Sequence, residues 1–288
     1  MFLTKKKFYD LKKRVEKHLF LEIEAMGPKN TLRDACEFSL MNGGKRFRPL
    51  LVLLIAKALN KNFDVMQAAL ACEFFHTASL IADDLPSMDD EKTRRYKPAL
   101  HLKYDEGTAL LTSYSLISSG YELLYKNAMA LQKKIPKEKS FEICSKAIEI
   151  VSLHAGIKGA CGGQFLDLYC KNPSLDVIND IIYKKTISLF EISFGLGWIY
   201  GGGDFNKLSQ VQAAAYHFGR AFQIVDDIVD FKEDFQKNKM INIAIAFGKE
   251  NAKKLVENHL KKAKKIFFDL SLNSSEIKKM IVFLEGKI

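Results

Sequence analysis

Apolar residues recur at helical spacing along almost the whole chain. Phe8, Leu11, Val15, Leu19, Leu21 and Ile23 mark one such stretch near the N-terminus, and Ala244, Phe247, Leu255, Leu260 and Ile266 another near the C-terminus. Alternating strand patterns flanked by hairpin turns are absent. Breaks fall at Gly27-Pro28, Asn42-Gly43-Gly44, Pro86, Pro98, Pro136, Pro173 and Gly201 to Asp204. Asn42-Gly43 is a turn signal, but helical patterns flank it, so no hairpin is read there. With only 6 prolines, long uninterrupted elements are expected. The pattern predicts an all-α chain of about ten or more helices packed around a central core or cavity.

At 288 residues the chain is one large domain or two small ones. No linker, repeat or low-complexity tract divides it, so a single domain over 1–288 is expected. The net charge of +10 comes from 44 Lys and Arg against 34 Asp and Glu. Much of the excess lies in Lys5 to Lys17 and Lys249 to Lys265, which read as amphipathic helices with solvated basic faces. Basic residues are not interleaved with aromatics as in a base-stacking platform, so no nucleic-acid partner is expected. The five cysteines form no CxxC pair and read as reduced thiols. No signal peptide opens the chain, and no window approaches the roughly 18 apolar residues of a membrane span. A cytoplasmic protein without an integral membrane segment is the expectation.

Against this apolar background stand two clusters of aspartates, Asp83-Asp84-Leu-Pro-Ser-Met-Asp89-Asp90 and Asp226-Asp227-Ile-Val-Asp230, whose first members are 143 residues apart. Burying a carboxylate without a partner is costly, so each cluster asks for counter-charge. Mg²⁺ supplies it in sites where a few carboxylates and substrate phosphates share the ion. Asp226 and Asp230 lie one turn apart on one helix face, and Phe222, Ile224, Val225, Ile228, Val229 and Phe231 leave little polar surface around them. Gln223, one turn before Asp227, can reach a ligand held there. In the first cluster Pro86 ends regular helix, so Asp83 and Asp84 close an apolar helix and Asp89 returns after a bulge. A polar turn between helices is the plainer reading of that segment alone. A second acidic cluster favours a clamp.

Other pieces are weaker taken singly. Arg94-Arg95 can fork onto phosphate oxygens or simply be solvated. Gly43-Gly44-Lys45-Arg46-Phe47-Arg48-Pro49 combines two glycines with three cations near a helix start, either an anion site or a solvated loop. It is no Walker loop. His76 sits two helical turns before Asp83 on the same face. Lys184-Lys185-Thr186 lies on an apolar helix, and Gly163-Gln164-Phe-Leu-Asp167 says little by itself.

In this order the pieces resemble the trans-isoprenyl diphosphate synthases, the farnesyl and geranylgeranyl diphosphate synthase family. The resemblance runs from about Leu32 to Asp230. It implies an all-α bundle around a deep apolar cavity, usually a homodimer. It also implies head-to-tail condensation of isopentenyl diphosphate with an allylic diphosphate (dimethylallyl, geranyl or farnesyl). Mg²⁺ is the implied cofactor, with about three ions per site once diphosphate is bound. Carried over by position, Asp83, Asp84 and Asp89 correspond to the first metal motif. Asp226 corresponds to the direct ligand of the second, with Asp227 and Asp230 acting through water. Asp83, Asp84, Arg94, Lys185 and Asp226 are the implied catalytic set. Arg94, Lys185 and Gln223 correspond to allylic-diphosphate contacts. Gly44, Lys45, Arg48, His76 and Arg95 correspond to the isopentenyl diphosphate site, and Gln164, Thr186 and Phe222 to the lining of the reaction centre. Small residues at Ala78 and Ser79, one turn before Asp83, leave room for another five-carbon unit, and Phe75 is a candidate floor. The resemblance therefore favours geranylgeranyl diphosphate, with a farnesyl or longer product as the alternative.

The chain departs from the family at Tyr96, where glycine is usual, and at Ser113-Tyr114, where Gly-Asp is usual. The segment after Asp230 is short, with Lys239 standing for one diphosphate-binding lysine. That shortening keeps open a weakly active or non-catalytic partner subunit of a heteromeric synthase. A class I terpene cyclase and a head-to-head synthase would each lack the Gly-Gly-Lys-Arg-Phe-Arg-Pro segment.

Overall fold

The computed structural model describes residues 5–171, 174–236, 241–272 and 274–287. The helices are α1 (Lys5–Ala25), α2 (Thr31–Leu40), α3 (Phe47–Ala58), α4 (Met66–Asp83), α5 (Leu100–Lys103), α6 (Glu106–Leu131), α7 (Lys137–Ala155), α8 (Ala160–Tyr169), α9 (Leu175–Ile182), α10 (Ser188–Tyr200), α11 (Leu208–Val229), α12 (Phe231–Gln236), α13 (Ile243–Phe247), α14 (Lys249–Asp269) and α15 (Ser275–Glu285). A π-helical turn, Tyr183–Ile187, joins α9 to α10. Local chemistry sets several starts. Asn30, Asp105, Ser174 and Ser274 each accept the backbone N–H three residues on, satisfying donors a helix cannot.

Every residue of α10 is buried, as expected of a helix apolar on all sides. It packs against α3, α4, α7 and α11, while α4 lies along α6 and α11 along α14. Buried apolar side chains from Val15 to Leu284 form one contiguous cluster. The aspartate clusters sit at the C-terminal ends of the two helices that flank α10: Asp83 closes α4 and Asp84 caps it, while Asp226 and Asp227 lie in the last turn of α11 and Asp230 caps that helix. Helix C-termini carry partial negative charge, which adds to the attraction for cations there.

The structure differs from the sequence expectation in four places. The C-terminal periodic stretch is two helices, broken at Gly248, and Leu21 and Phe247 of the periodic sets are exposed. A two-residue antiparallel pair, β1 (Thr93–Arg94) with β2 (Lys97–Pro98), occupies the segment after the first aspartate cluster. Lys184, Lys185 and Thr186 lie on the π-helical turn, not on regular α-helix. The predicted break at Pro173 lies outside the described residues. Among the described residues no helix is long and apolar enough to cross a membrane.

Candidate active site

The first aspartate cluster is folded by its own backbone. Asp89 N–H donates to the Asp83 carbonyl at 2.9 Å, and Met88 N–H to Leu85 at 2.9 Å. The loop therefore doubles back and brings Asp89 beside Asp83. Burial, which outweighs nearby Lys185, pushes the Asp83 carboxyl up to about 6; Asp89 and Asp84 add to it. Asp84 points the other way. It is buried, and Arg94 Nε donates to both its carboxylate oxygens at 3.0 Å.

Lys185 ties three elements together. Its Nζ lies 2.5 Å from Asp167 Oδ2 on α8 and 3.6 Å from Asp89 Oδ2. Gln164, also on α8, donates to Asp89 Oδ1 at 3.0 Å, and its own Oε1 is buried without a partner. Gly163 makes this approach possible. A Cβ there would lie 2.6 Å from the Lys185 backbone nitrogen, so any side chain would drive α8 off the π-helical turn.

In the second cluster the three carboxylates part company. Asp227 is buried and used by the scaffold, accepting from Gln223 Nε2 at 2.8 Å and from Ile243 N–H at 2.9 Å. Burial raises its pKa to about 6 despite those bonds. Gln223 is thus engaged with Asp227. Asp226 is half-buried, and burial raises its pKa against the pull of Lys45 and Arg48.

Cations gather between the two clusters. Arg48 Nη1 donates to His76 Nε2 on α4 at 3.2 Å and lies within electrostatic reach of Asp226 on α11. Burial and the surrounding Arg48, Arg95, Arg94 and Arg46 hold His76 well below the usual histidine range. The ring is neutral, and with Nε2 accepting, its proton sits on Nδ1, which is buried without a partner. Arg95 Nη1 donates to the Gly43 carbonyl at 2.6 Å. Gly44 has φ +106, a conformation that favours glycine, and the Arg95 guanidinium lies against its open side. Lys45 is exposed. Phe222 meets Phe47 and Phe190 with centroids 5.1 Å apart, and the Arg48 guanidinium lies 5.2 Å over the Phe190 ring. Thr186 is half-buried beside Lys185.

Below Asp83, Ala78 is buried, and Phe75 is buried with its ring edge-on to Tyr121 at 5.1 Å. Ser79 Oγ donates to the His76 carbonyl at 2.9 Å. Ser113 donates to the Ala78 carbonyl at 3.0 Å, and Tyr96 takes φ +66 at the tip of the β1–β2 turn. Lys239 lies outside the described residues.

Two contributors escaped sequence reasoning. Glu73, buried on α4, holds Arg46 Nη1 at 2.5 Å and has Arg95 at 4.0 Å. A lone acid in the apolar run Leu70-Ala-Cys-Glu-Phe-Phe75 was the available signal. Asp167 is the second, and its position one turn after Gly163 on α8 is the clue.

Among the described residues no three His, Cys, Asp or Glu side chains converge as a ready-made metal cage. The donor set nonetheless suits Mg²⁺. It is all carboxylate oxygen, with Asp89 and Asp84 close enough to Asp83 to add to the rise that burial causes in its pKa, and Mg²⁺ takes only one or two carboxylates when phosphates and waters complete its shell.

The polyprenyl synthetase family matches residues 29–262 of the chain. The chain is 31% identical over 276 residues to the farnesyl diphosphate synthase of Bacillus subtilis, covering 91% of each protein. It is 32% identical over 252 residues to the chloroplastic geranylgeranyl pyrophosphate synthase of Capsicum annuum, covering 86% of this chain and 66% of that one. A crystal structure of geranyltransferase from Legionella pneumophila superposes with a TM-score of 0.84 at 25% identity, covering 98% of this chain and 97% of that one.

Proposed function

The chain belongs to the polyprenyl synthetase family and is an isoprenyl diphosphate synthase; from that premise we propose that it extends allylic diphosphates with isopentenyl diphosphate as far as geranylgeranyl diphosphate. The observation that supports this reading is Arg48, which contacts His76 on α4 at 3.2 Å and lies within electrostatic reach of Asp226 on α11, a cation shared by the two helices that carry the aspartate clusters.

In this proposal Asp83, Asp84, Asp89, Asp226, Asp227 and Asp230 hold Mg²⁺, directly or through water. When bound there, Mg²⁺ neutralises the charge that develops on a departing diphosphate. Lys185 and Arg94 bind the allylic diphosphate. Gln223 assists from its place on Asp227. Gly44, Lys45, Arg48, His76 and Arg95 bind isopentenyl diphosphate. His76 serves as a neutral donor through Nδ1, the proton its contact with Arg48 leaves on that nitrogen. Gln164, Thr186 and Phe222 face the allylic carbon, and the Phe222 ring, backed by Phe47 and Phe190, suits a developing cation and keeps water from it. Lys239 supplies one further diphosphate-binding cation.

Product length rests on Ala78. In this reading the methyl group of Ala78, one turn below the aspartates, leaves room for another five-carbon unit, with Phe75 a further turn down as the floor. The single-domain reading over 1–288 is supported by the one continuous core. A homodimer is supported by the exposed apolar stripe Leu110, Tyr114, Ile117 and Tyr125 along α6, and a cytoplasmic location fits the charged exterior. Condensation by the purified chain with isopentenyl diphosphate and Mg²⁺, compared across dimethylallyl, geranyl and farnesyl diphosphate, tests the assignment.

A further inference from the structure

We propose that Tyr183 and Glu191 form a strap across the π-helical turn that positions Lys185, anchored from α7 by His154. Tyr183 is the first residue of the turn, and its Oη donates to Glu191 Oε2, on α10, at 3.1 Å. His154 Nδ1 lies 2.9 Å from the same oxygen, and Gln212 of α11 reaches the far ring nitrogen at 3.5 Å. Glu191 and His154 are each 5% exposed, so the carboxylate is retained inside the protein where its burial must be compensated.

The strap brackets the residues that matter. Lys185 and Thr186 lie between its two ends. A π-helical turn carries one residue more than an α-turn and tends to occur at functional sites. Were it to relax to α-helix, the flanking segments would rotate relative to each other by about 100°, one residue's share of a helical turn. Lys185 would then leave Asp167 and Asp89. Gly163 lets α8 lie close against the turn. The hydrogen bond from Tyr183 to Glu191 opposes that rotation, because its two ends lie on opposite sides of the extra residue. Arg220 of α11 bonds Asn179 on α9 and fixes the helix entering the turn. Tyr183, Glu191 and His154 act through Lys185 and are positioning residues.

The inference rests on the proposed role of Lys185 only in its kinetic readout. Tyr183→Phe in the full chain removes one hydroxyl and keeps the ring. Its crystal structure reads the strap directly: a shift of Lys185 Nζ from Asp167 by about 1 Å or more, a displacement large enough to matter in a catalytic site, supports the strap, and an unmoved turn overturns it. In kinetics the KM for the allylic diphosphate should rise about three- to tenfold, the value of one hydrogen bond, with the KM for isopentenyl diphosphate unchanged. A parallel rise of both, together with a lower melting temperature, would mean general loosening and overturn the inference. Adding Glu191→Leu to Tyr183→Phe should cost no more than the worse single change, because both break the same link. A wild-type chain that condenses nothing would sink the functional reading and leave the crystallographic result to decide the strap.

Discussion

Arg94 grips Asp84 with its guanidinium fork, Nε lying 3.0 Å from both carboxylate oxygens. Asp84 is 2% exposed, and the arginine is its charged partner. Burial raises the Asp84 pKa and Arg94 opposes the rise. The cation expected on a diphosphate and the carboxylate expected near a metal are thus built as one unit.

Arg94→Met would strand that carboxylate. A loss of about 1–3 kcal/mol is expected for a buried group left unsatisfied, read as a lower melting temperature. Asp84→Asn in the same chain should recover most of it. An Arg94→Met protein that melts like wild type would contradict the pairing.

Gly163→Ala should damage the site without touching a charged group. The new Cβ would meet the Lys185 backbone nitrogen at 2.6 Å, and backbone cannot swing aside as a side chain can. We expect kcat/KM to fall by at least about tenfold, as a displacement near 1 Å produces. Steady-state kinetics with the allylic substrate varied would check it.

Tyr96→Gly should stabilise the protein. Arg95 and Tyr96 have φ +53 and +66, the paired left-handed residues of a tight hairpin turn. Tyr96 is fully exposed, so its removal forfeits no packing. Relief of left-handed strain is worth up to about 1 kcal/mol, against which glycine's greater unfolded freedom counts. A lower melting temperature would contradict the turn geometry.

Acid should loosen the α11–α14 contact. His217 Nδ1 and His259 Nδ1 lie 2.9 Å apart. Burial, then His217, Arg220 and Lys262, lowers the His259 pKa from 6.5 to about 4, and burial with Lys262 lowers that of His217. The folded chain keeps both rings neutral, while the unfolded chain takes up protons near pH 6.5. The stabilisation is therefore complete above pH 6.5 and is lost as pH falls toward 4. Melting curves from pH 7.5 to 5, taken in about half-unit steps, should show a smaller decline for His259→Asn than for wild type.

The all-α architecture was legible because α10, α4 and α11 write their burial directly into runs of apolar residues. The aspartate clusters were legible for the converse reason, as carboxylates on an apolar background. Glu73 obeys the same rule and shows how far it reaches. What the sequence concealed was division of labour inside each cluster. Asp83 and Asp84 are neighbours in the chain, yet the end of α4 turns one toward Lys185 and the other toward Arg94. Asp226 and Asp227 part in the same way, because Ile243 N–H, sixteen residues on, claims the second. Such long-range partners leave no local pattern. The π-helical turn was equally hidden, since one extra residue barely disturbs the apolar spacing of Ile181, Ile182, Ile187, Leu189 and Phe190.

Chain length of the product tests the central claim most directly. The purified chain, given isopentenyl diphosphate, farnesyl diphosphate and Mg²⁺, should release a twenty-carbon diphosphate identified by mass and lose that activity on chelation; started instead from dimethylallyl diphosphate, the Ala78→Tyr variant should stop short of twenty carbons. Failure to extend farnesyl diphosphate, or a product length that Ala78→Tyr leaves unchanged, would contradict the account.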